Sequence, residues 1–198
     1  GYINEEATLT VSNGANAIDS TPDTSGEHTG DVIDTSSTSH YDTDADGDTL
    51  IVTEIRTGSS EGNGTAGTVG SALTGTYGQL TISQNGSYTY IANQDAADAL
   101  DPGDTVTDSF NYKIDDQSGA TNATDIGVIE ITIAGVNDPI TAVNDTDAVN
   151  EDATINRSTS DSQELDHDDT DPDGDDVSGS FTITAIRTGR EGASGTSG

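Results

Sequence analysis

The sequence predicts an all-β protein, an antiparallel β-sandwich repeated in tandem. Three observations predict it: short stretches in which apolar and polar residues alternate, turn residues separating them at close intervals, and an internal repeat.

Thr8-Leu9-Thr10-Val11 forms a short alternating strand. Thr49 to Arg56 is a stronger one, with Leu50, Val52 and Ile55 seeking cover, although Ile51 on the other face leaves its phase open. Residues 58–70 are too glycine-rich for an ordered helix. A hairpin follows at Gln79 to Tyr90 around Asn85-Gly86. A two-residue type I′ turn would pair Ile82 with Thr89; a three-residue loop with Gly86 left-handed would pair Ile82 with Tyr88 and Leu80 with Tyr90. The second register is preferred, because it gathers all four large side chains on one face. The only expected helix is a turn or two over Asn93 to Leu100, capped by Asn93 and ended by Asp101-Pro102-Gly103. Phe110, Tyr112 and Ile114 then point inward, Asp115 to Gly119 turns the chain, and Ile129, Ile131 and Ile133 line one face of a closing strand. Each strand is half-buried, as in a sandwich with solvated outer faces.

The repeat organises the chain. Asn4-Glu5-Glu6-Ala7-Thr8-Leu9 returns 146 residues later as Asn150-Glu151-Asp152-Ala153-Thr154-Ile155. Asp42-Thr43-Asp44-Ala45-Asp46-Gly47-Asp48 returns 127 residues later as Asp169-Thr170-Asp171-Pro172-Asp173-Gly174-Asp175. Thr53-Glu54-Ile55-Arg56-Thr57-Gly58 returns 131 residues later as Thr184-Ala185-Ile186-Arg187-Thr188-Gly189. Order is kept while spacing shifts, as when loops change length. A complete repeat is expected over residues 1–139, with a surface-loop insertion at 20–40, and the N-terminal part of a second over 140–198. Phe181 to Ile186 is the second copy's strand, but nothing matches the first copy's hairpin or its strands around Phe110 and Ile129. The start at Gly1, without Met or a targeting segment, reads as a mature piece or a fragment.

Composition narrows the function. There are 37 acidic residues against 5 basic ones, a formal charge of −32, and only 29% hydrophobic residues. That field repels phosphate backbones and anionic lipid, so nucleic-acid and membrane-surface binding are not expected. No apolar run is long enough to insert in a membrane. Such a composition also marks disordered chains, unless something cancels the charge. A hard divalent cation fits, since carboxylates are abundant and Cys is absent.

Asp42, Asp44, Asp46 and Asp48 around Gly47 are candidate Ca²⁺ ligands, and Asp169, Asp171, Asp173, Asp175 and Asp176 repeat the arrangement. Neither is a complete EF-hand, because the twelfth position is Thr53 in one and Ser180 in the other. A second group, Asn137, Asp138, Asn144, Asp145, Glu151 and Asp152, falls where one repeat hands over to the next, with Glu5 and Glu6 serving the first repeat's own N-terminal junction. Ions shared there would stiffen the connection. Magnesium fits less well, since it demands a tight octahedron and usually keeps waters.

The opening Asn4-Glu5-Glu6-Ala7, the cluster Asp44-Ala45-Asp46-Gly47-Asp48, Gly86-Ser87-Tyr88-Thr89-Tyr90, Asp108-Ser109-Phe110-Asn111-Tyr112 and the exit Gly135-Val136-Asn137-Asp138-Pro139 resemble bacterial cadherin-like and VCBS-type repeats of large secreted RTX-like adhesins. The resemblance implies a Greek-key, cadherin/immunoglobulin-like sandwich, calcium at domain junctions, and spacing or adhesion at an extracellular bacterial surface. The insertion at 20–40 and the long glycine loop depart from the compact pattern of that family.

Catalysis is not expected. His28, His40 and His167 sit far apart in polar segments, and no nucleophile elbow, HExxH or phosphate loop is present. The leading expectation is a calcium-rigidified structural spacer of an adhesin or surface fibre. Its partners would be neighbouring repeats and, through the unfinished second copy, other copies head to tail. The alternative is a calcium-dependent glycan-binding module using the loops at 20–40 or 58–70. Tyr41 and Tyr77 are the only loose aromatic platforms for it, a scarcity that favours the spacer.

Overall fold

The longest alternating stretches of sequence become the longest strands. The computed structural model describes residues 1–12, 26–29, 32–33, 42–157, 169–173 and 181–186, with 12 and 26–29 as backbone alone. The chain divides into two units, residues 1–137 and 138–198.

The first unit is an all-β sandwich. Its strands are β1 (Tyr2–Asn4), β2 (Thr8–Ser12), β3 (Gly26–Thr29), β4 (Ile51–Thr57), β5 (Ala66–Gly67), β6 (Leu73–Thr74), β7 (Gln79–Ile82), β8 (Tyr88–Ile91), β9 (Thr105–Asp115) and β10 (Thr124–Ala134). One sheet runs in the order β1-β10-β9-β4-β5 and the other β3-β2-β8-β7-β6. Antiparallel pairs dominate, but β1 pairs parallel with β10, and β2 parallel with β3. The chain changes sheet between β1 and β2, at a turn closed by the Ala7 N–H on the Asn4 carbonyl at 3.3 Å, with Glu6 left-handed at φ 60°. A negative φ at Glu5 followed by a positive one at Glu6 is the type II arrangement.

Core residues come from both sheets. Leu9, Leu80, Ile82 and Tyr90 meet Val52, Ile55, Phe110, Ile131 and Ile133, and all are essentially inaccessible. The rings of Tyr90 and Phe110 pack edge to face, 6.1 Å apart. β9 and β10 pair along eleven residues, with Phe110 opposite Ile129. The β7–β8 hairpin takes the three-residue-loop register: Leu80 opposes Tyr90, Ile82 opposes Tyr88, and Gly86 is left-handed at φ 91°.

In this unit one open question is settled and three expectations require correction. The ambiguous phase of β4 is resolved by a bulge, the register against β9 shifting between Val52 and Glu54. The extra residue lets Val52 and Ile55, three apart, both face the core. The segment at 20–40 is not merely a surface loop, because 26–29 adds as an edge strand and Val32 and Ile33 pack against the core. The helix α1 is only Asp95–Asp98, and its N-cap is Gln94 without a side-chain cap bond. Asn93 does not cap; its Oδ1 accepts from Gln94 Nε2 at 2.9 Å. Tyr77 is no free platform, since it packs partly buried against the core.

In the second unit, the backbone of Thr141 bridges that of Thr170. The opening turn recurs here: Ala153 N–H reaches the Asn150 carbonyl at 3.2 Å, and Asp152 is left-handed at φ 61°. Phe181 to Ile186, expected as a strand, is not one. Its first-copy counterpart, β4, is held between β9 and β5, and the second copy has no match for β9. Among the described residues, no helix is long and apolar enough to cross a membrane.

Candidate metal sites and a hydroxyl-lined cleft

Polar side chains enter the first unit wherever the backbone needs closing. In the Asp42–Asp48 turn, Asp44 Oδ1 accepts the N–H groups of Asp46 at 2.8 Å and Asp48 at 3.0 Å, an Asx turn that Gly47 completes at φ 82°. Those backbone donors, that of Asp48 foremost, lower the Asp44 pKa. Asp42 is half-buried, and its Oδ2 accepts the Tyr112 hydroxyl at 2.8 Å. Burial raises the Asp42 pKa, the Tyr112 bond opposes this, and the charge of Asp125 adds to it. Burial, with Asp42 beside it, likewise raises that of Tyr112. Asp46 and Asp48 are exposed.

The second acidic cluster repeats the turn but not the burial. Asp171 Oδ1 accepts the Asp173 N–H at 3.1 Å, as Asp44 does for Asp46. Asp169 Oδ1 accepts the Val143 N–H at 2.8 Å. Asp173 is 3% exposed where its counterpart Asp46 lies open. Its Oδ2 takes the backbone N–H of Asp138, itself a buried residue, at 3.3 Å. Its Oδ1 is buried with no hydrogen-bond partner. Asp175 and Asp176 lie outside the described residues.

The remaining candidates differ sharply in setting. Glu5 is buried and accepts the Val136 N–H, while its own N–H bonds the Ala134 carbonyl, tying the opening turn to the end of β10. Glu6, Asn137, Asn144, Asp145, Glu151 and Asp152 are all at or near the surface. Among the described residues, no three acidic or histidine side chains converge closely enough to hold an ion.

Two functional-looking positions escaped the sequence reading. Asp108, in phase with Phe110 on the inward face of β9, accepts four bonds: Thr76 N and Ser109 N on Oδ1, Tyr77 N and the Tyr90 hydroxyl on Oδ2, between 2.9 and 3.2 Å. Asn111, on the opposite face, is covered by the glycine loop. It donates to the carbonyls of Gly58 at 2.9 Å and Asn63 at 3.1 Å, and accepts from Gly62 N at 3.0 Å. Both lie in the quoted Asp108-Ser109-Phe110-Asn111-Tyr112 run, and a polar residue in phase with a core aromatic was the available signal for Asp108. Above Asp108 a cleft of about 460 Å³ is walled by the end of β4, the β6–β7 turn and β9. No protein-family model and no curated protein matches the chain.

Proposed function

We infer that this chain is a calcium-dependent structural repeat of the cadherin-like, VCBS-type kind, serving as a spacer in an extracellular bacterial adhesin or surface fibre. The observation that carries the calcium reading is the Asp173 carboxylate, buried beside the Asp138 backbone with one oxygen lacking any hydrogen-bond partner. A buried carboxylate oxygen without a hydrogen-bond partner is costly to desolvate, and a bound cation would offset that cost. In a chain of charge −32, rich in carboxylates and without Cys, Ca²⁺ is the cation whose ligand preferences fit. Asp173 would supply one ligand oxygen; no two further acidic side chains among the described residues converge on it, so carbonyl and water oxygens would complete the set. The spacer role is supported by the tandem repeat and the sandwich fold.

Thermal unfolding in excess chelator and in Ca²⁺, at matched ionic strength, tests this. Free Ca²⁺ at a hundred times its dissociation constant adds about 2.7 kcal/mol of stability. Asp173→Asn should abolish much of that gain while changing the chelator curve little. An unchanged wild-type midpoint would overturn the reading. Head-to-tail self-association belongs to the same proposal, motivated by exposed Ile140, Ile183 and Ile186. Light scattering should then show polymers in calcium, and a monodisperse monomer would remove that part.

A further inference from the structure

We propose that the cleft above Asp108 is a binding site for a neutral saccharide. Its volume, about 460 Å³, lies within the range of small-ligand sites. Its walls carry hydroxyl groups from both sheets: Thr57 and Thr65 beside β4 and β5, Thr74 and Thr76 around β6, Thr107 and Ser109 on β9.

The chemistry of the lining excludes other ligand classes in turn. Asp108 is the one charged residue there, and each of its oxygens already accepts two protein donors, which exhausts its lone pairs and leaves none for a metal ion. No Lys or Arg lines the cleft, and the charge of −32 repels anions. The lining consists of Thr, Ser, Gly and Asp, so nothing in it rewards an apolar or aromatic ligand. What remains is a surface of groups that both donate and accept hydrogen bonds, the complement of a sugar's own hydroxyls.

The cleft is also built rather than incidental. A Cβ on Gly75 would meet the Asp108 carboxylate oxygens at 2.4 and 2.7 Å, so the absent side chain lets the β6–β7 turn close onto its floor. The opposite wall is fixed by Gly58 N–H on the Ser109 carbonyl at 2.7 Å and Thr65 N–H on the Thr57 hydroxyl at 3.0 Å. With no aromatic ring in the lining, recognition is by hydroxyl edges rather than stacking. Affinity is accordingly modest.

The experiment is an amide chemical-shift titration of the full ¹⁵N-labelled chain in calcium-containing buffer. The probes are maltotriose, cellotriose, lactose and mannobiose, with trigalacturonate as the anionic control. The expected result is saturable shifts at Gly58, Ser59, Thr76 and Thr107 for at least one neutral sugar, with weaker binding of trigalacturonate. Combining Thr76→Val with Thr107→Val should weaken binding about tenfold or more at an unchanged melting temperature. Should that variant fail to fold, Thr107→Ala, at an exposed position, gives the same comparison. Absence of shifts with every neutral sugar, shifts away from the cleft, or tighter binding of trigalacturonate would overturn the proposal.

Discussion

Four apolar positions occur in both copies of the repeat, and their fates are opposite. Ile3, Leu9, Val52 and Ile55 are 0–1% exposed in the first copy. Their counterparts Val149, Ile155, Ile183 and Ile186 are 55%, 37%, 56% and 70% exposed. The local code is the same in each, down to the left-handed residue of the opening turn. What differs is company: β1 needs β10, β2 needs β8, and β4 needs β9. Local sequence therefore sets the turn, whereas distant strands decide whether the residues on either side of it are buried.

Single substitutions can break or sharpen this contrast. The largest effect is expected at Ile55→Ala, which should cost about 2–5 kcal/mol by opening a cavity between the sheets. Ile186→Ala, at the equivalent place, should stay within about 0.5 kcal/mol. Urea unfolding of both variants measures the difference, and equal losses would mean that the second copy is packed in solution as the first is.

Next in size is Asn111→Ala. It strips the glycine loop of a clamp made possible by β9, leaving Gly62 N–H and the Gly58 and Asn63 carbonyls short of a partner, at a cost of about 2–3 kcal/mol. Hydrogen exchange at Gly62 should accelerate well beyond the change at β10 amides; uniform acceleration would count against a local clamp. Tyr90→Phe is smaller, about 1–2 kcal/mol, since Asp108 keeps three of its four donors. A neutral result by urea unfolding would show that water replaces the hydroxyl.

The smallest effect concerns Asp42, whose partner Tyr112 has no counterpart in the second copy. Its folded pKa is raised above the ordinary 3.8, chiefly by burial, so the folded state holds the proton more tightly than the unfolded chain. That contribution to stability is fully present below pH 3.8 and is lost as pH rises through the raised value. Urea midpoints in chelator across this window should fall more steeply with pH for the wild type than for Asp42→Asn. Parallel profiles would remove Asp42 as the source.

The first copy's strong strands were legible because their alternation includes large residues: Leu80 and Ile82 against Tyr88 and Tyr90, Phe110 and Tyr112 against the Ile129 to Ile133 run. The short strands β1, β3, β5 and β6 were not legible, because two to four residues carry no period and their pairing is set by partners far along the chain. The bulge in β4 was visible only as a conflict of phase between Ile51 and Val52. Composition and repetition located the acidic turns. They did not distinguish the buried Asp173 from the exposed Asp46, since the turn they share fixes backbone geometry and leaves burial to the surroundings.

The parallel pairing of β1 with β10 has a mechanical consequence. These strands carry the two ends of the first unit, side by side and pointing the same way. Tension drawn through the chain would pull β1 backward and β10 forward. It would load Thr132 N–H on Gly1 O, Glu5 N–H on Ala134 O and Val136 N–H on the Glu5 carboxylate together, in shear, instead of peeling them one by one. Single-molecule pulling should register a higher rupture force along this direction than when the β9–β10 hairpin is pulled open from its turn. A repeat that yields equally in both directions would lack this clamp.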